Sequence, residues 1–201
     1  MLYMKYSAME KSKLLLHACC APCSSYVLEL LNQEYDITVF FYNPNITEKL
    51  EYKKRYEELL RLIKEAPFSI DVIAIDGGFD AESFFLMSKG MEEYPERSAR
   101  CYKCYQMRME ATAKYASDNG YDIFTTTLSI SPHKNATWIN EIGALCEEKY
   151  GVTYMYSDFK KKNGYARSIQ LSKEYDLYRQ DYCGCIYSKR EKENKNNNSL
   201  V

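Results

Sequence analysis

The sequence has no apolar run of the length a bilayer requires. A membrane-spanning helix needs about 20 such residues, whereas Leu14-Leu15-Leu16-His17-Ala18 is only five long. Lys5, Glu10, Lys11 and Lys13 surround that stretch without the charge order of a signal peptide, so the chain is expected to be cytoplasmic, with no membrane partner. Neither sign of charge dominates, with 27 basic and 28 acidic residues. Any contact with nucleic acid must therefore come from a local patch and not from net charge. No G-x-x-x-x-G-K-[ST] and no G-x-G-x-x-G occurs, so neither a P-loop nor a dinucleotide fingerprint is supported. No internal repeat is visible.

Tyrosine and cysteine are plentiful. Twenty tyrosines imply many half-buried amphipathic side chains, some able to stack on bases. Six of the eight cysteines fall into three tight pairs: Cys19-Cys20, Cys101-x-x-Cys104 and Cys183-Gly184-Cys185. Vicinal and C-x-C cysteines close small, strained rings and make poor structural disulfides. In a reducing compartment such pairs point to soft metal or to electron transfer.

Strand and helix signals alternate along the chain. Strands are expected at Leu14–Ala18, Asp36–Tyr42, Asp71–Ile75, Asp122–Leu128 and Val152–Tyr156. The first helix is expected from a cap at Ser24 or Ser25 to about Asn32. An Asn45-x-x-Glu48 capping box then opens a helix with Tyr52, Tyr56, Leu59, Leu60 and Ile63 on one face. Asp80 caps a short helix to about Ser88. Further helices span about Tyr102–Asp118, about Lys134–Tyr150 with Gly151 as terminator, and Arg167–Tyr178. The pattern predicts an α/β fold: a mostly parallel sheet covered by helices, three layers in all, with ligands at the carboxyl ends of the strands. Cys19-Cys20 and Ser129–Lys134 both follow strand ends and are expected at that edge. Residues 1–188 read as a single α/β domain and 189–201, charged and Asn-rich, as a disordered tail.

The cysteines divide by context. Cys146 shares its helix with Trp138, Ile139, Ile142 and Leu145 at core spacing and reads as a buried free thiol. Cys101 and Cys104 put two sulfurs on one side of a helix start, where the helix N-terminus and Arg97, Arg100 and Arg108 favour thiolate. Cys19 and Cys20 can complete a tetrathiolate, which suits zinc and iron–sulfur alike. Cys183 and Cys185 serve either as a labile redox pair or as ligands of a second metal. Cys23 is either a buried residue or an additional ligand.

His17 reads as a satisfied core histidine. His133 reads as a proton donor, a phosphate contact or a solvated loop residue. Lys53-Lys54-Arg55 read as the solvated face of an amphipathic helix. Lys160-Lys161-Lys162 with Arg167 read as a solvated loop or a phosphate contact.

Several blocks, taken in order, resemble the epoxyqueuosine reductase QueH family. They are His17-Ala18-Cys19-Cys20-Ala21-Pro22-Cys23, Phe41-Tyr42-Asn43-Pro44-Asn45-Ile46, Glu51-Tyr52-Lys53-x-Arg55 and Arg100-Cys101-x-x-Cys104-Tyr105-x-x-Arg108. Thr125-Thr126-Thr127-Leu128 with Ser131-Pro132-x-Lys134-Asn135, and Tyr178-Arg179-Gln180-x-Tyr182-Cys183-Gly184-Cys185, complete the set. They run from about residue 14 to 188, and no cysteine position departs from the pattern.

The resemblance implies two-electron removal of the epoxide oxygen of epoxyqueuosine at the tRNA wobble position, the last step of queuosine synthesis. It implies an oxygen-sensitive [4Fe-4S] cluster, a second mononuclear metal such as iron, and no cobalamin. Its architecture is similar to the adenine-nucleotide α-hydrolase-like folds. On this reading Cys19, Cys20, Cys101 and Cys104 hold the cluster, with Cys23 a candidate further ligand. Cys183 and Cys185 are then the redox pair or the second-metal ligands, and Arg108, Lys134, Arg167 and Arg179 contact the substrate. The partners are tRNA carrying epoxyqueuosine and a low-potential donor of ferredoxin or flavodoxin type. Two rivals compete: a thiol, sulfur-transfer or disulfide oxidoreductase, and a non-catalytic zinc-binding tRNA adaptor.

Overall fold

The computed structural model describes residues 11–198. Lys5, Glu10 and the last three tail residues, 199–201, lie outside the described residues. Five strands, β1 (Ser12–His17), β2 (Tyr35–Phe41), β3 (Ile73–Asp76), β4 (Ile123–Thr126) and β5 (Thr153–Tyr154), form one parallel sheet in the order β3-β2-β1-β4-β5. Seven helices accompany it: α1 (Ala21–Leu31), α2 (Lys49–Glu65), α3 (Ala81–Ser88), α4 (Ala99–Asp118), α5 (Ala136–Tyr150), α6 (Gly164–Glu174) and α7 (Ile186–Asn198).

The central strands are apolar without alternation because both sheet faces are covered. Leu14 and Leu16 pack with Val27 and Leu28 of α1 and with Leu59 of α2. Leu15, between them, faces the opposite layer with Met109 and Ala113 of α4 and Ile139 of α5. All three leucines are fully buried. The helices form two layers, α1 lying against α2 and α6 on one side and α4 against α5 on the other. The α/β three-layer reading is thereby met.

Local signals behaved unevenly. Asp80 caps α3, accepting from the Ser83 backbone N–H at 3.2 Å, and Gly151 ends α5 in the left-handed conformation at φ 67°. The first helix, however, starts at Ala21 with Cys20 as N-cap, not at Ser24 or Ser25. Pro22 in its first turn is pre-organised for helix, and both serine hydroxyls bond backward to the carbonyls of Cys20 and Pro22.

The capping box at Asn45 does not form. The α2 cap is Glu48, with no side-chain capping bond; Asn45 lies in the preceding loop and donates its amide Nδ2 to the Cys183 carbonyl. On α2 the buried face includes Arg55 and Leu62, whereas Leu60 is exposed. The fourth strand stops at Thr126, where a 3-10 turn, Thr127–Ile130, takes over; the Thr126 hydroxyl accepts from the Leu128 N–H.

The helix α6 begins three residues earlier and ends four earlier than expected. Asp176 at φ 46° and a bond from the Tyr178 N–H to Glu58 turn the chain away. The expected disordered tail is the helix α7 through Asn198. Its first turn is anchored by Tyr187, buried with Phe84, Cys104 and Cys185, and Ile186 packs beside it; ion pairs hold the polar remainder: Lys189 with Glu48 at 2.5 Å, Arg100 with Glu191, and Lys192 with Asp181.

Candidate active site

The strand order reverses direction between β1 and β4, and ligands of open parallel sheets bind outside the carboxyl ends at such a point. A cavity of about 390 Å³ opens there, within the range typical of small-molecule sites. Its walls carry Cys19 and Cys23 from β1–α1, Cys101 and Cys104 from α4, and Cys183 and Cys185 from the loop before α7. Each group sits at a helix start. Cys20 caps α1, Cys101 and Cys104 occupy the first turns of α4, and the Cys185 carbonyl accepts from the Lys189 N–H in the first turn of α7. The positive ends of three helix dipoles thus meet the thiols.

Around α1 the extended Cys20 backbone and the helical turn that follows gather three sulfurs. Those of Cys19, Cys20 and Cys23 all lie within 4.8 Å of one another, and Cys19 Sγ is 3.9 Å from Cys20 Sγ. The Cys19 thiol is held well below its ordinary range, chiefly by hydrogen bonds from Cys20 and Cys23 and also by Lys134 and Arg108, against the cost of burial. Cys20 is pushed up to about 11, foremost because it donates to Cys19. Cys23 is pushed up for the same reason, by both neighbours. Shared hydrogen bonds thus favour ionisation at Cys19 over its two neighbours.

On α4, burial pushes Cys104 up to about 11 and raises Cys101, with Arg108 opposing at Cys104. The Arg97 N–H donates to Cys101 Sγ at 3.3 Å. In the third group Ser188 N–H donates to Cys185 Sγ at 3.3 Å, and Ser188 Oγ accepts from Cys183 N–H at 3.2 Å. Burial, and then the nearby Cys183, raise Cys185.

Cations balance these thiols. Arg55, Arg100 and Arg108 are the largest fully buried side chains, and all three line the cavity. Arg100 stacks on Tyr187, 4.3 Å from guanidinium to ring centre, and donates to the carbonyls of Met91 and Glu92. Arg108 donates from Nε to the Cys104 carbonyl at 3.2 Å, and its Nη2 has no protein partner. Burial works against the charge on Lys134, but the neighbouring cysteines, Cys19 foremost, outweigh it and hold the ammonium above its ordinary range. Arg97 donates to His133 Nδ1 at 2.9 Å, so that nitrogen is the unprotonated one.

These groups set a soft, all-sulfur donor set beside fixed positive charge, which suits zinc or iron–sulfur far better than hard cations. The family model described as "Epoxyqueuosine reductase QueH" matches residues 14–191, a span that holds every cysteine of the cavity. The chain belongs to the QueH family. A QueH relative from Staphylococcus epidermidis is 43% identical over 183 residues, 89% of this chain and 77% of that protein. One from Histophilus somni is 44% identical over 184 residues, covering 90% and 73%. One from Thermotoga maritima is 38% identical over 184 residues, covering 90% and 92%. Each of the three is named "Epoxyqueuosine reductase QueH".

Within this QueH chain most of the sequence-selected residues converge. Arg108, Lys134 and Arg179 line the cavity. Arg167 is not among the lining residues; its guanidinium is spent on Glu29 of α1, at 2.5 and 2.9 Å, and on Glu174. Cys146 lies in the core with Ile139 and Ile142. His17 is fully buried and bonded at both nitrogens, to Thr126 Oγ1 at 2.8 Å and the Tyr42 carbonyl at 3.1 Å. Cys23, rather than Cys101 or Cys104, joins the vicinal pair within 4.8 Å. Arg55 was misread as solvated, being 2% exposed. Its one sequence signal was Glu51, placed i, i+4 to pair with it.

Proposed function

We propose that the chain reduces epoxyqueuosine in tRNA to queuosine, a cytoplasmic two-electron removal of the epoxide oxygen. One observation carries this reading: six cysteines and seven lysine or arginine side chains line one cavity in a chain of the QueH family. Opening an epoxide to an alkene takes two electrons and two protons and releases water. A [4Fe-4S] cluster with a second metal such as iron would supply low-potential electrons and a Lewis acid for the epoxide oxygen. Cys19, Cys20, Cys101 and Cys104 are the proposed cluster ligands, with Cys23 within reach of the first two. Cys183 and Cys185 hold the second metal or act as a redox dithiol. No cobalamin is required.

Arg108 and Lys134 supply fixed positive charge where negative charge develops on the departing oxygen. The two protons come from water or from Tyr182 or His133, both on the cavity wall. A modified base in a single-stranded loop is normally splayed out and stacked on aromatics, and Tyr165 and Tyr182 offer such faces. Arg179 is the proposed contact for a flanking phosphate. The electrons come from a ferredoxin- or flavodoxin-type donor.

The test is anaerobic reconstitution with iron and sulfide, then incubation with epoxyqueuosine-containing tRNA and a strong reductant. Nucleoside mass analysis is expected to show loss of one oxygen. Brown protein that leaves the nucleoside mass unchanged, or colourless protein with stoichiometric zinc, overturns the proposal.

A further inference from the structure

The Cys183-Gly184-Cys185 loop is held from one side by a segment more than 120 residues earlier. Three successive carbonyls of the loop each accept a hydrogen bond from residues 45–55. Arg55 Nη2 donates to the Tyr182 carbonyl at 3.4 Å and Arg55 Nη1 to that of Cys183 at 3.1 Å. Asn45 Nδ2 also reaches the Cys183 carbonyl at 3.3 Å, and the Thr47 N–H donates to the Gly184 carbonyl at 3.2 Å. The third guanidinium nitrogen, Nε, donates to Glu51 at 2.7 Å. Glu51 in turn accepts from the Tyr178 hydroxyl at 3.1 Å.

The fit at Gly184 is close. Its φ is 115°, a conformation open to glycine, and a Cβ there would meet Ile46 at 2.9 Å and Arg55 Nη1 at 3.3 Å. A buried charge survives only when its hydrogen bonds are satisfied, and all three nitrogens of Arg55 have acceptors. Lysine has no planar fork and cannot reproduce the three directions at once. Burial opposes the Arg55 charge, and Cys20, Glu51 and Cys183 together outweigh it.

We propose that Arg55 is the positioning residue of the Cys183-Gly184-Cys185 loop: its guanidinium, set by Glu51, fixes the loop carbonyls on the α2 side so that both thiols stay on the cavity wall. The inference deepens the proposed reductase reading by naming what holds its second pair of thiols. The labelling test needs neither substrate nor metal, and a turnover readout is set beside it.

In metal-free, reduced protein the rate of alkylation at each cysteine is read by peptide mapping. Cys146, on the buried face of α5 and away from the cavity, reports general opening, and Cys185 reports the loop. Arg55→Met is expected to speed labelling of Cys185 by about tenfold or more while Cys146 and the melting temperature stay near wild type, since local opening needs only the loop's own contacts. Arg55→Lys is expected to rescue little of this. Gly184→Ala, which presses the loop off the guanidinium from the other side, gives the same signature and serves if Arg55→Met does not fold. In the reconstituted enzyme kcat falls with KM for tRNA held. Equal acceleration at Cys146 and Cys185, no acceleration at Cys185, or full rescue by lysine overturns the proposal. An inactive wild type with the labelling pattern intact would instead count against the reductase reading alone.

Discussion

Cys104 and Arg108 lie one turn apart on α4, and the cation donates from Nε to the carbonyl of the thiol's own residue at 3.2 Å. Both side chains line the cavity. Burial foremost pushes the Cys104 thiol up to about 11, and Arg108 is the foremost opposing charge. Replacing Arg108 by methionine removes that opposition, so less thiolate is available near neutral pH. Arg108→Met is expected to weaken zinc or iron binding by about 10–100-fold, the usual effect of an outer-shell partner. Affinity should recover in part as pH rises from 7 to 9. Metal competition titrations at the two pH values check this, and a pH-independent loss would contradict it.

Arg167 and Arg179 were equivalent in the sequence but are separated in the fold. Arg179→Ala is expected to weaken tRNA binding and to lower the salt slope by about 1, the signature of one phosphate contact. Arg167→Ala is expected to leave both unchanged, because Glu29 and Glu174 already neutralise that side chain. Filter binding across a salt series distinguishes the two.

His17 confers a pH dependence on stability. Its pKa falls to about 4, first through burial and then through Arg108. Below the unfolded value of about 6.5 the unfolded chain takes up a proton that the folded chain refuses. Stability is therefore full above about 6.5 and declines as pH drops toward about 4, by at most roughly 3 kcal/mol for this group. Denaturant unfolding of metal-free protein between pH 7 and 4 should show the decline, and His17→Asn should flatten it. An unchanged slope in the variant would assign the decline elsewhere.

Gly143 on α5 packs against the Tyr154 ring so closely that a Cβ would stand 2.2 Å from Cε1. Gly143→Ala must push the ring or the helix aside, and about 1–3 kcal/mol of destabilisation is expected. Metal content should not change, since neither residue lines the cavity. Thermal unfolding with metal analysis checks both halves.

What the sequence disclosed followed from local chemistry. Leu14–Leu16 and the β-branched, aromatic residues of β2 could only be buried strands. Asp80 and Gly151 mark their helix ends because each acts within a few residues of itself. The place of the thiol-lined cavity at the strand ends followed from strand–helix alternation. What stayed hidden was decided at long range. Asn45 looked like a cap until the Cys183 carbonyl, 138 positions away, claimed its amide. Arg55 looked solvated until the same loop covered it. Cys23 could not be assigned without knowing that α1 starts at Ala21, which turns its sulfur back toward Cys19 and Cys20. The helix α7 past its apolar first turn has no stripe to read, since ion-pair partners on other elements hold it.

The cavity draws thiols from position 19 to position 185. A chain growing from its amino end presents Cys19, Cys20 and Cys23 long before the residues that complete the wall exist. Contacts of such wide separation form late. During synthesis the first three sulfurs thus stand together without Cys183 and Cys185, in a pocket open on the side that the last loop will close. Metal delivered at that stage would meet an unfinished cradle, so any loading of the cavity with metal belongs after the whole chain has been made.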